Sequence, residues 1–224
     1  QVARMDWDST RGKRSFDNII DSFTQGKVQI LVGTQMLTKG LDFKNVALVG
    51  VLNADPLLNF PEFRAHERSF QMLSQVAGRS GRFKEQGQVL IQSYTPEHPV
   101  LLQVINNDYE KLFSTQLRER KEYQYPPFFR LIRITLKSKD YYQVDQASQW
   151  LVNALNLSLQ GSVLGPVDPT IARVRNLYHK QLLIKFLDNA SRNKVKEIVV
   201  SSLKSFEAIG AYRSIRVSID VDPQ

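Results

Sequence analysis

The chain of 224 residues, 42% hydrophobic and 23% charged, is long enough for one large or two ordinary domains and too apolar to be disordered. It has no cysteine, which excludes disulfides, thiol catalysis and cysteine-ligated zinc within these residues, and its three histidines argue against a histidine-built metal site. A formal net charge of +8 favours polyanionic partners, nucleic acid first among them, with contacts that weaken as salt rises.

In chain order, residues 2–5 read as a strand. Phe16, Ile19, Ile20 and Phe23 have the spacing of an amphipathic helix, ended by Gly26. Residues 28–33 and 46–52 are short apolar runs rich in β-branched side chains, residues 63–76 return to helical spacing, and residues 88–92 form a fourth strand. Short strands separated by helices predict a parallel sheet of βαβ units, whose ligands bind beyond the carboxyl ends of the strands. Residues 99–122 predict one long helix, closing in Arg118-Glu119-Arg120-Lys121-Glu122. Pro126-Pro127 forbids its continuation, and a domain boundary is placed between residues 122 and 123.

The second half has a different rhythm. Ile132, Ile134 and Leu136 alternate with Arg133, Thr135 and Lys137, the pattern of a strand with one wet face. A helix over 141–158, strands at 162–164 and 181–186 joined by a basic loop, a helix over 191–206 and a strand at 215–221 complete the order β-α-β-β-α-β. The expected fold class is an α/β lobe with a parallel sheet, followed by a smaller α+β split-βαβ, ferredoxin-like domain. No apolar run approaches the roughly 18–20 residues that span a bilayer. The start, Gln-Val-Ala-Arg-Met-Asp, lacks an initiator Met and a signal-peptide pattern, so the expectation is a cytoplasmic piece of a longer protein.

Two stretches carry chemistry. Residues 33–43, Gly-Thr-Gln-Met-Leu-Thr-Lys-Gly-Leu-Asp-Phe, follow a buried strand. Gly33 and Gly40 permit close backbone approach, Thr34 and Thr38 offer hydroxyls at a helix start, Lys39 adds a cation, and Asp42 suits a ribose hydroxyl. A routine βα turn with an N-cap has the same composition. Residues 75–82 read Gln-Val-Ala-Gly-Arg-Ser-Gly-Arg, which sets Arg79 and Arg82 on one helical face behind Gln75. Paired guanidinium forks suit a dense negative charge such as a triphosphate, although a solvated basic helix end reads the same way.

Together the two stretches resemble motifs V and VI of the superfamily 2 helicases. Residues 58–68 (Leu-Asn-Phe-Pro-Glu-Phe-Arg-Ala-His-Glu-Arg), 125–128 (Tyr-Pro-Pro-Phe), 163–166 (Val-Leu-Gly-Pro) and 220–223 (Asp-Val-Asp-Pro) are similar to the replication-restart branch of that superfamily, so the likeness covers essentially the whole chain. The resemblance implies that residues 1–122 are most of a second RecA-like motor lobe and residues 123–224 the family's C-terminal DNA- and partner-binding domain. Arg82 would be the arginine finger, worth about 10³–10⁵ in rate, supported by Gln75 and Arg79. Gly40 and Asp42 would bind nucleotide while Thr34 and Lys39 follow the DNA strand, the division between DNA and ribose contacts staying open.

The whole protein would be an ATP-dependent DNA helicase of the bacterial cytoplasm and nucleoid. It would recognise stalled or branched forks and direct primosome assembly, using ATP and Mg²⁺, with zinc in a cysteine-rich module. Its partners would be branched or single-stranded DNA, the acidic tail of single-stranded DNA-binding protein and other primosome proteins, with no membrane. The departures are informative. No Gly-x-x-x-x-Gly-Lys-[Ser/Thr] occurs, since the Gly-Lys steps at 12–13 and 26–27 run on to Arg14 and Val28, and there is no Asp-Glu-x-His box or paired cysteine. The expectation is that this chain alone binds no cofactor and hydrolyses no ATP. Two other readings stay open: a non-catalytic DNA- and protein-docking module, and a related branch-migration translocase. The second domain and the Asp-Val-Asp-Pro stretch speak against the translocase.

Three weaker signals remain. Arg173, Arg175, Tyr178 and Lys180 interleave cations with an aromatic, as in single-strand binding, or make a plain basic hairpin loop. Arg192, Lys194 and Lys196 crowd a helix start whose dipole prefers anions, and the resemblance assigns Arg192 and Lys196 to the acidic tail. Arg64, Glu67 and Arg68 fit a solvated helix face or a DNA contact, and Tyr123, Tyr125, Phe128 and Phe129 fit an interface core better than a stacking platform.

Overall fold

In a computed structural model, residues 1–9, 15–34, 46–78, 87–189 and 192–223 are described, and the chain divides into two units, Gln1–Gln116 and Leu117–Gln224. In unit 1, β1 (Val2–Met5) lies parallel to β2 (Ile30–Gly33) with Val2 opposite Ile30. A second parallel pair joins β3 (Leu48–Val51) to β4 (Gln88–Ile91) with Leu48 opposite Gln88. Parallel partners need a crossover. It is supplied by α1 (Ser15–Thr24) in the first pair and by α2 (Asp55–Leu58) and α3 (Ala65–Ala77) in the second. The expected parallel pairing is present, but among the described residues the four strands form two separate two-stranded sheets rather than one.

The core of unit 1 forms where helices meet. Leu58 of α2, Phe70 and Leu73 of α3, and Val100, Leu101 and Val104 beyond β4 pack together with Val51 and Ile91 against them. Each such side chain contributes roughly 1.5–3 kcal/mol on burial. Asp55 ties the start of α2 to the end of β4, its carboxylate accepting the Ser93 hydroxyl at 2.9 Å and the Tyr94 N–H at 3.0 Å. The long helix expected over 99–122 is two: α4 (Pro99–Ile105) and α5 (Tyr109–Glu122). Asn107 breaks it by adopting a left-handed φ of 50°, and Asp108 restarts it by accepting the Lys111 N–H at 2.9 Å. Pro99 occupies the first turn of α4, where a missing N–H costs nothing, and His98 Nδ1 accepts the Val100 N–H at 3.2 Å. The division between units falls inside α5, ahead of the double proline.

Unit 2 is built on β5 (Phe129–Ser138). There follow α6 (Tyr141–Asn156), β6 (Val163–Val167), β7 (Arg173–Val174), β8 (Leu177–Leu187), α7 (Arg192–Ala208) and β9 (Arg216–Val221). The sheet order is β6-β8-β5-β9, with β7 paired to β8 and every neighbour antiparallel. Ile134 stands opposite Leu182 and Ile219, so Ile132, Ile134, Leu136, Leu182 and Ile184 line one face. That face is covered by Val144, Ala147, Leu151 and Leu155 of α6, at three- and four-residue spacing, and by Val195, Val199 and Phe206 of α7. The opposite face carries Arg133, Thr135 and Lys137.

Three local devices set this frame. The basic loop expected between strands is itself a hairpin, Arg175 (φ 48°) and Asn176 (φ 62°) supplying the left-handed pair that a two-residue turn requires. Gly165 has φ +105°, and a Cβ there would stand 2.8 Å from the Gln181 carbonyl oxygen, so β6 can shift register against β8 only with glycine at this point. Asp222 accepts the Leu131 N–H at 3.1 Å, donates its own N–H to the Leu131 oxygen at 2.8 Å, and pairs with Arg130 at 3.0 Å. Among the described residues no helix is long and apolar enough to cross a membrane.

Candidate nucleic-acid interface

One end of the unit 2 sheet gathers cations and aromatic rings. In β5, Lys137 is directly opposite His179 of β8 and Arg216 of β9, so three basic side chains form a row across three strands on the open face. Like charges directly opposite, here Lys137 and Arg216, are unfavourable to folding. Burial, then the neighbouring Lys137, hold the His179 pKa below its ordinary value. On the other face of the same end, Arg173 pairs with Tyr178 and sets its guanidinium 4.8 Å from the ring centroid. Arg173 also donates to the Asn176 side chain at 3.2 Å, which braces the hairpin tip and leaves Arg175 exposed.

Residues from the start of α6 complete the patch. Asp140 caps this helix by accepting the Gln143 N–H at 3.1 Å. The next two residues, Tyr141 and Tyr142, meet edge to face at 5.8 Å, and Tyr141 meets Tyr178 at 5.6 Å. Neither tyrosine nor the Lys137–Arg216 pairing belongs to a binding motif in the sequence. The doublet Tyr141-Tyr142 directly after a capping aspartate was the signal available.

Lys180, expected in the DNA-binding set, is placed otherwise. It lies opposite Leu136 on the core face and is 6% exposed. Its ammonium donates to Asp145 at 2.9 Å, Asp168 at 3.1 Å and the Tyr141 hydroxyl at 3.3 Å, which takes all three of its protons. Burial alone would lower its pKa, but those three partners outweigh burial and raise it. Lys180 is thus an internal tie that seats Tyr141, and its charge is spent inside the unit.

The other expected residues are scattered. Thr34 is exposed just past β2, and Gln75 is exposed in the last turn of α3. Lys39, Gly40, Asp42, Arg79 and Arg82 lie outside the described residues. Arg192 opens α7 and is held at 3.0 Å by Asp188, four residues earlier in the chain, which answers the adverse helix dipole; Lys196 is exposed a turn further on. Arg68 is exposed and paired with Glu62, whereas Arg64, the residue before α3, is half-buried with its guanidinium 5.3 Å from the Phe63 ring. Lys185 donates to the Tyr123 backbone carbonyl at 2.7 Å and sits 3.6 Å from the Tyr125 ring centroid, so the Tyr125 ring packs within unit 2 while Tyr123 is exposed, and burial lowers the Lys185 pKa.

Comparison with known proteins agrees with the motifs. The family model described as Primosomal protein N C-terminal domain matches residues 121–224, and that described as Helicase conserved C-terminal domain matches residues 1–84. The chain is 35% identical to replication restart protein PriA of Bacillus subtilis over 100% of its own length and 28% of that protein's. It is 40% identical to PriA of Synechocystis over 98% of the chain and 26% of that protein. Against PriA of Treponema pallidum the identity is 37%, over 100% of the chain and 33% of that protein. The chain therefore spans a third or less of the length of these relatives. It belongs to the PriA family of replication restart proteins and corresponds to a C-terminal part of its members.

Proposed function

We propose that the chain is the C-terminal part of an ATP-dependent DNA helicase that restarts stalled forks, and that the basic sheet end of unit 2 docks branched or single-stranded DNA. The observation that carries the docking role is that Arg173, Arg175, Lys137 and Arg216 stand at one end of one sheet, Lys137 and Arg216 on its open face and Arg173 on the other, with the nearby carboxylates of Asp145 and Asp168 already occupied by Lys180. Tyr178 belongs to the docking surface through Arg173; Lys180 does not. Phosphate neutralisation supplies most of such affinity and makes it salt-dependent. Removing Arg173 and Arg175 together should reduce the slope of log affinity against log salt by about 1.4, at ~0.7 per single-strand phosphate. An unchanged slope would remove the assignment.

The strand order β6-β8-β5-β9, with α6 and α7 on one face, supports a ferredoxin-like assignment for unit 2. The helicase family match over residues 1–84 supports a motor-lobe role for unit 1, with Arg82 as the arginine finger, Arg79 and Gln75 beside it, Gly40 and Asp42 toward nucleotide, and Thr34 and Lys39 toward DNA. The described residues do not by themselves fit a nucleotide or metal site. Gln75 is the one nucleotide residue among them, and no group of three His, Asp or Glu side chains among them could hold a metal. ATP, Mg²⁺ and zinc are assigned to the full-length protein because the sequence here has no Gly-x-x-x-x-Gly-Lys-[Ser/Thr] stretch, no Asp-Glu-x-His box and no cysteine, and the chain alone should show no ATP hydrolysis. In the full-length protein Arg82→Ala should abolish ATP-driven unwinding while fork binding survives; turnover by the chain alone, or unchanged unwinding in the variant, contradicts this reading. Arg192 and Lys196 are proposed for the acidic tail of single-stranded DNA-binding protein, with other primosome proteins as further partners, in the bacterial cytoplasm at the nucleoid.

A further inference from the structure

We infer that Tyr142 is a stacking platform for an unpaired base, so that the basic end of unit 2 receives a single-stranded segment rather than only a duplex backbone. The inference rests on the docking role proposed above and adds the form of nucleic acid and the residue that reads it. Tyr142 is 78% exposed, so its ring contributes little to the core that α6 makes with Val144, Ala147, Leu151 and Leu155. Yet it is held in place. It stands in the first turn of a capped helix, edge to face with Tyr141 at 79°; Tyr141 is itself fixed by Tyr178 and by the Lys180 ammonium. A preorganised open ring needs little ordering on binding. A base presents a flat π-face to such a ring whatever its identity, and Arg173 and Arg175 stand at the same end for the flanking phosphates. Duplex DNA keeps its base faces stacked within the helix, and an acidic peptide has no flat face to offer, so neither uses the ring.

The test uses the whole 224-residue chain, an oligo-dT strand carrying one 5-bromodeoxyuridine for photo-crosslinking, a blunt duplex and an oligo-glutamate peptide. Expected are a crosslink mapped to Tyr142 and a loss of at least about fivefold in single-strand affinity for Tyr142→Ala. Tyr142→Trp should restore that affinity, and duplex affinity should be unchanged in both variants. An unchanged emission spectrum from Trp150 in the unit 2 core verifies that Tyr142→Ala is folded. Single-strand affinity unmoved by Tyr142→Ala, with crosslinks elsewhere, overturns the stacking role. If Arg173→Ala with Arg175→Ala still weakens binding, the docking role survives that failure; if it does not, both fall. Oligo-glutamate bound as tightly as oligo-dT, and weakened equally by Tyr142→Ala, overturns the inference in favour of a peptide site.

Discussion

Lys180→Met separates an internal tie from a DNA contact. In the native unit Lys180 is 6% exposed and its ammonium is joined to two carboxylates and a phenol. Breaking a buried ion pair from one side costs roughly 3–5 kcal/mol, because the partner charge is left uncompensated. The Asp145 and Asp168 side chains are 36% and 46% exposed, so water recovers part of that loss. The expected destabilisation is about 2–3 kcal/mol, or roughly 8–20 °C in the melting temperature of a unit this size. The two tryptophans make the assay selective. Trp150 packs on Phe206 and Tyr212 in the unit 2 core, whereas Trp7 is 75% exposed and its emission changes little on unfolding. Thermal unfolding read by the shift of Trp150 emission therefore follows unit 2. Adding Asp145→Asn and Asp168→Asn to Lys180→Met should restore much of the stability, since no half-buried carboxylate is then left without its cation. A Lys180→Met chain that melts with the parent but loses DNA affinity would refute this account and return Lys180 to the docking surface.

Two further outcomes are expected. Gly165→Ala should destabilise unit 2 by at least about 1–3 kcal/mol, since alanine must adopt a strained positive φ with its Cβ against the Gln181 carbonyl; Trp150-detected unfolding at the parent's midpoint would count against it. Burial, then His66, keep the His98 pKa low against the opposing pull of Asp55. A depressed folded pKa contributes stability that is present above the unfolded value of about 6.5 and lost as pH falls through the folded value. Acidification should therefore loosen the start of α4, and His98→Asn, which keeps a capping acceptor without the titration, should flatten that loss in amide exchange of residues 100–104. Equal acid sensitivity in both chains would show that the His98 cap is not the cause.

Period and punctuation made much of unit 2 legible. Ile132, Ile134 and Leu136 announced both the strand and its buried face, and Val144, Ala147, Leu151 and Leu155 announced the covering helix. What escaped was pairing across long separations. Nothing local to Lys180 reveals that Asp145 and Asp168 converge on it, so an ammonium satisfied in the fold reads in one dimension as a free cation. The same blindness hid the row His179–Lys137–Arg216, whose members come from three distant stretches of chain. The helix break was readable in principle, since Asn106-Asn107-Asp108 combines a left-handed residue with an N-cap, but the strong periodicity on either side hid it. Arg79 and Arg82 were found by motif alone and stay known by motif alone.

The clamp between Leu131 and Asp222 spans a separation of 91 residues, and it couples the first strand of unit 2 to the last. During synthesis from the N-terminus, β5 must wait for nearly the entire unit to emerge before β9 can close its second edge. Until then one side of the central strand offers unpaired N–H and C=O groups, a template on which another nascent chain could add. The salt bridge of Arg130 to Asp222 fastens that closure, after which β5 is paired on both sides and the open edges of the sheet are those of β6 and β9.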